Sequence, residues 1–245
     1  MADPRDCAVL RAGAVTTVAE AIDRLAEIGE ATGRVAPECG IAQFNDLYLT
    51  ITRSIEAHVR SGTFFTDNEY LARLDVAFAN RYFDALRAWA GGGPPPEVWR
   101  MLFELPNDGE VTALQLAGAG VNAHINFDLA VAVVDTGREM GDPALDTGSR
   151  HEDYTKVNDV FAEQMDTLLH RLVEHRAARG ESTAALSVLG RMMTGVIAIA
   201  RRHAWEDAGG LWPLPRRSEG WKAREHHMDA LACRLGHGLL VDLPG

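Results

Sequence analysis

Apolar residues recur at spacings of three and four along most of the chain, the signature of helices that bury one face. Between Val15 and Ile28 the positions Val18, Ala21, Ile22, Leu25 and Ile28 form one stripe, which predicts an amphipathic helix stopped at Gly33. A second pattern runs from about Ile41 to Val59 and ends at Gly62; a third begins at Asp67, in capping position, and runs on through Trp89. Gly91 to Pro96, GGGPPP, is a break, and its last proline can open a short helix over 97–105. Further periodic segments cover roughly 110–137, 151–178, 183–208 and 219–240, with punctuation at 141–149, at Gly180 and at 209–215. Seven or eight helices, short connections and no strand series predict an all-α bundle, one domain over 1–245 with residues 1–38 as a candidate peripheral N-terminal helix. No repeat at a fixed period is visible.

One segment departs from simple amphipathicity. Residues 120–134, GVNAHINFDLAVAVV, alternate polar and apolar side chains and then turn wholly apolar. Alternation is the mark of a strand, yet the apolar region extends far beyond strand length on both sides without turn chemistry, so a helix is expected. At about 100° per residue, Asn122 and Asn126 then lie one turn apart on one face, and His124 and Asp128 one turn apart on nearly the opposite face. His124 and Asp128 are the only ionisable residues between Val111 and Val134. A helix so enclosed must pair its polar groups or use them to line a wet or ligand-filled cavity, since each unsatisfied group costs about 1–3 kcal/mol. The plainer alternative is a hydrogen-bond network that fastens helices together, the asparagines bonding neighbouring backbone. The sharper one is a site in which Asp128 holds one ring nitrogen of His124 and leaves the other as a base or acid.

Composition limits the partners. The chain has 24 Lys+Arg against 35 Asp+Glu, a formal charge of -11, which repels a phosphate backbone and argues against a nucleic-acid partner. The opening residues lack the basic and apolar regions of a secretion signal, and no run of ~18 consecutive apolar residues offers a bilayer span. Cys7, Cys39 and Cys233 are an odd number at motif-free spacing, as expected of free thiols. Together these predict a cytoplasmic protein without membrane or nucleic-acid partner.

The motif Asn122-Ala-His124-Ile-Asn126, followed by Asp128-Leu129, resembles the signature of an uncharacterised, mainly actinobacterial family of unknown function, number 5995. Phe44 with Leu47-Tyr48-Leu49, Leu74-Asp75 with Phe78-Ala79 and Tyr82-Phe83, and Trp99 fit the same resemblance. So do Asp153-Tyr154 with Val157-Asn158, Ala200-Arg201 with Ala204-Trp205, and Gly238-Leu239-Leu240. The resemblance covers the chain from about residue 40 onward and supplies no reaction. It implies a tryptophan one turn before Arg201, where this chain has Ile197, so a pocket lined there would be differently shaped.

Other positions could join a site around His124. His151 and Asp153 fall in the first turn of a helix that Ser149 can cap, where Glu152 is explained by the helix dipole alone. Arg201 and Trp205, one turn apart, can pack, or can hold an anionic or carbonyl group of a ligand. Asp75 lies in an apolar pattern and would need a cationic partner such as Arg201. His226 and His227 are adjacent, point in different directions, and are expected at the surface.

His124-x3-Asp128 also looks somewhat like the His-x3-Asp element of helical zinc phosphodiesterases of the phospholipase C type, so a divalent metal (zinc, manganese or iron) held by His124 and Asp128 in a hydrolase or oxygenase is an alternative. The remaining ligand motifs of helical metalloenzymes are missing from the sequence, as are phosphate loops and a GxSxG nucleophile. The expectation is a cofactor-independent enzyme of lyase, cyclase, isomerase or hydrolase type, suited to natural-product biosynthesis. His124 and Asp128 would be catalytic, and Asn122, Asn126, Arg201, Trp205, Asp75, His151 and Asp153 would bind a small, largely apolar organic molecule. A non-catalytic binder of such a molecule is the other alternative.

Overall fold

A computed structural model of the chain describes residues 3–105, 111–145, 148–178 and 184–240, with side chains outside 166–192. Among these residues there are eight α-helices and no strand. They are α1 (Val18–Val35), α2 (Gly40–Ser61), α3 (Asn68–Ala90), α4 (Glu97–Phe103), α5 (Ala113–Glu139), α6 (Ser149–Ala178), α7 (Ala184–Leu211) and α8 (Glu219–Leu240). Two single turns of 3₁₀ helix, Pro4–Asp6 and Ala8–Arg11, precede α1.

Local chemistry sets most boundaries. Thr17 and Glu20 form a capping box at the start of α1, and the Asp67 carboxylate accepts from the Tyr70 N–H at 2.9 Å at the start of α3. Gly62, at φ 66°, closes α2 in the left-handed region that favours glycine. Gly33 does not stop α1, which runs two residues further. A glycine inside a helix costs only about 1 kcal/mol, whereas Pro37 disfavours helical backbone at Ala36 outright. For the same reason α7 continues through Gly209 and Gly210 and ends shortly before Pro213. The break expected at Gly180 lies outside the described residues.

The buried stripe of α1 (Ala21, Leu25, Ile28) belongs to the same core as the other helices. At the centre of that core stands α5, packed against α2, α3, α4, α7 and α8. It is long and apolar enough to span a bilayer, and the most apolar 18-residue window in it is 78% buried among its neighbours. Gly120 lets α2 come close, because a Cβ there would collide with the Phe44 ring. Midway, α5 holds one turn of π-helix over His124–Asp128, in which the Leu129 N–H donates to the His124 carbonyl five residues back. Such a turn inserts an extra residue, rotates everything beyond it, and is found disproportionately at functional sites.

Candidate functional site

The π turn places His124 and Asp128 side by side on the face of α5 that meets α2, α3 and α4. His124 Nδ1 lies 3.0 Å from Asp128 Oδ2. The same oxygen accepts from the Trp99 indole N–H at 2.9 Å, and Oδ1 accepts from Arg81 Nε at 3.2 Å. Each donor has its own support. Trp99 is carried by α4, whose first N–H groups, on Glu97 and Val98, donate to the Asp229 carboxylate of α8 at 3.0 and 2.9 Å. Arg81 is on α3 and lies 3.8 Å from Glu225 of α8 as well. Asp128 is 1% exposed and fully committed.

Those donors fix the state of the histidine. A carboxylate can only accept, so Nδ1 carries the proton and Nε2 is a bare lone pair. The ring is held flat on Phe78, centroids 3.4 Å apart and 7° from parallel, with Tyr48 edge-on at 4.6 Å. Nε2 is buried and, among the described residues, has no hydrogen-bond partner. Burial lowers the His124 pKa below its ordinary 6.5 against the opposing pull of the Asp128 hydrogen bond and charge, so the neutral ring dominates at neutral pH.

His124 lines a cavity of about 50 Å³ between α2, α3, α5, α6 and α7. Most of the wall is apolar: Ile51, Ile55, Leu71, Leu74, Phe78 and Phe161, with others like them. Besides His124, the polar side chains on it are Tyr48, Asp75 and Arg201. Asp75 Oδ2, like His124 Nε2, is buried without a partner among the described residues, and the buried Tyr48 hydroxyl faces Thr52. Burial, assisted by the charge of Glu56, raises the Asp75 carboxyl from 3.8 to about 7. Burial also drives the Tyr48 phenol well above its usual value.

The structure thus gathers His124, Asp75 and Arg201 on one cavity, with Asp128 behind the histidine. Asp75 does not have Arg201 as a counter-ion: the arginine donates elsewhere, and desolvation of the carboxyl, in place of a salt bridge, sets its ionisation. The other expected residues lie off the cavity wall. Asn122 turns to α8, where its Nδ2 donates to the Ala232 carbonyl at 2.8 Å while its Oδ1 accepts from Asn126 at 3.0 Å. Asp153, wholly buried, accepts from the backbone N–H groups of Thr66 and Asp67 and so fastens the loop between α2 and α3. His151 and Trp205 pack on each other, centroids 4.6 Å apart. Ile197 is buried but is not part of the wall. His226 and His227 are exposed.

Arg81 is the partner of Asp128 that periodicity alone misses; its signal is a cation three residues after Phe78, on the flank of the buried stripe of α3. As to a metal, Asp128 faces Nδ1 and is taken up by Trp99 and Arg81, leaving Nε2 alone towards the cavity. Among the described residues no three His, Cys, Asp or Glu side chains converge on one point. Cys7, Cys39 and Cys233 are all free.

Fold and site together define an all-α protein with a buried, oriented histidine at its centre. The chain belongs to the family of unknown function DUF5995, whose sequence profile spans residues 18–242. No curated protein and no solved structure matches it.

Proposed function

We propose that this protein is an acid–base enzyme acting on a small, largely apolar organic molecule, with His124 as the proton-transferring group. One observation carries the reading: a buried imidazole whose Nδ1 is locked to a triply bonded carboxylate presents an unpartnered Nε2 to an apolar cavity. Other buried polar atoms, such as Trp89 Nε1, Tyr82 Oη and Thr136 Oγ1, also lack a partner among the described residues, but they lie off the cavity wall; the bare Nε2, at a cost of about 1–3 kcal/mol, is on it, where a ligand can use the lone pair.

In this scheme Nε2 removes a proton from the bound molecule, forming an imidazolium whose second N–H faces Asp128. The carboxylate stabilises that charge without taking the proton, as an orienting acid does in other histidine-based sites. Return of the proton to a different atom gives isomerase chemistry; its return after a bond has broken gives lyase chemistry. The lowered pKa keeps the ring neutral, and therefore basic, at neutral pH. Phe78 and Tyr48 fix the plane of the ring so that Nε2 cannot swing away.

Exchange of carbon-bound hydrogen tests this without knowledge of the physiological substrate. Purified protein would be incubated in D₂O with a panel of small ketones, aldehydes and carboxylates, and deuterium uptake followed by proton NMR. Uptake by wild type, reduced about 10²–10⁴-fold in a folded His124→Gln variant, is the expected result. Equal uptake by the two forms would remove His124 from the chemistry, and binding without exchange in either would make the protein a binder.

A further inference from the structure

Arg201 is the feature that proton transfer leaves unexplained. Its side chain is 4% exposed, yet among the described residues no carboxylate pairs with it. Its Nε donates to Asn158 Oδ1 at 2.9 Å and one Nη2 N–H to the Tyr154 carbonyl at 2.6 Å, both neutral acceptors, and the guanidinium lies over the Tyr154 ring at 4.3 Å. Nη1 makes no hydrogen bond to a described residue. A buried guanidinium without an anion is costly, because the charge cannot be shed as a lysine sheds it. The nearest candidate acid on the same wall, Asp75, is not bonded to it and stays protonated up to near-neutral pH.

From this arrangement we infer that the cavity takes a short monocarboxylate, its carboxylate on Arg201 and its alkyl part against Ile51, Leu71 and Phe78, within reach of His124 Nε2. This rests on the reading of the cavity as the ligand site and adds the ligand's class. A carboxylate supplies the missing counter-charge in a geometry that suits the planar guanidinium. The apolar wall rejects a second charge, and about 50 Å³ admits only a few heavy atoms without movement of the walls. Asp75, as a neutral carboxylic acid, tolerates an anion nearby where an ionised one would repel it.

The test compares charge at constant shape. Protein labelled with ¹³C at histidine Cε1 would be titrated with acetate, propionate, butyrate and hexanoate, with the primary alcohols of the same lengths, and with sodium chloride at matched ionic strength. The His124 resonance would be assigned by its absence from His124→Gln. The short carboxylates should shift that resonance saturably, at least tenfold more tightly than the matched alcohols, and chloride should not. The difference should collapse in Arg201→Gln if that variant folds; the comparison of acid with alcohol on wild type stands if it does not. Alcohols binding as well as acids, the same shift with chloride, or no saturable shift with any acid would each overturn the proposal. Carboxylate binding that persists in His124→Gln, followed through the ligand signals, together with no deuterium exchange in wild type, would leave the carboxylate site standing and sink the acid–base reading instead.

Discussion

The two polar pairs of α5 have the same spacing and opposite fates. Asn126 donates to Asn122, which donates in turn to the backbone of α8, so that Asn122 is sealed in a seam between the two helices while Asn126 stays half-buried at its edge. His124 and Asp128 gather donors from α3 and α4 and still leave one nitrogen bare towards a cavity. What separates them is the neighbour. A helix backbone offers an amide side chain carbonyls to bond, whereas a charged carboxylate in the interior needs several donors and so draws in Arg81, Trp99 and His124 together. A polar pair in an apolar helix is therefore not a functional signal by itself, and neither is an unpaired atom such as Thr136 Oγ1; the unpaired atom on a cavity wall is the one that points to a ligand.

The harshest way to break this comparison is to remove the anchor. Asp128→Ala leaves Arg81 and the Trp99 and His124 N–H groups without their acceptor. Arg81 is only partly buried, and the loss should still be about 3–5 kcal/mol, as for other broken buried charge pairs. Urea unfolding monitored by far-UV circular dichroism measures it. A loss below ~1 kcal/mol would mean that the cluster is not what holds α3, α4 and α5 together.

Next in size is a pH effect, in which the two titratable groups of the cavity act with opposite sign. Burial raises Asp75 to about 7, so the folded protein keeps a proton that the unfolded chain gives up from about pH 4. That contribution to stability is full below the unfolded value and is lost as the pH rises through about 7. Burial lowers His124, so its contribution is full above 6.5 and is lost as the pH falls through the lower folded value. Asp75→Asn, which stands in for the protonated acid, should match wild type only below about pH 4 and should gain on it by on the order of 1–3 kcal/mol between pH 5 and pH 8, while His124→Gln should lose the acid-side slope. Thermal unfolding from pH 5 to 8 checks both. An unchanged slope in Asp75→Asn would mean that its carboxyl is not buried as a neutral acid.

These contrasts also mark what could be read from the chain. Helix number and faces follow from stripes such as Ala21, Leu25 and Ile28, because burial selects side chains one turn apart. Helix ends were legible at Asp67 and Gly62 and misjudged at Gly33, where a proline four residues later outweighs a glycine. The pairing of His124 with Asp128 was legible from their spacing, but the π turn was not, since an extra residue in a turn leaves no mark on composition. Which candidates share the cavity depends on how α6 and α7 are rotated. Spacing puts Arg201 and Trp205 on one face, yet Arg201 reaches the wall while Trp205 packs on His151. Asp75 in an apolar pattern marks a buried acid; the pattern points to a cationic partner, but among the described residues the carboxyl has none, because burial keeps it protonated up to about pH 7.

The smallest effect belongs to the closed seam and is the sharpest test of the contrast. Asn122→Ala removes the bond to Ala232 and the one from Asn126. The Ala232 carbonyl lies inside α8 and keeps its own helical donor, and Asn126 is only half-buried and can turn to water. The cost should therefore be near 1 kcal/mol, the low end for a lost buried hydrogen bond. Carboxylate affinity and deuterium exchange should follow the folded fraction and nothing else, because the lost bonds face α8 while the cavity lies on the other side of the helix. Unfolding curves and the histidine NMR titration on the same samples measure both quantities. A folded Asn122→Ala with exchange reduced tenfold or more would show that the seam positions the π turn and, through it, the imidazole, and the division of α5 into a structural face and a chemical face would have to be given up.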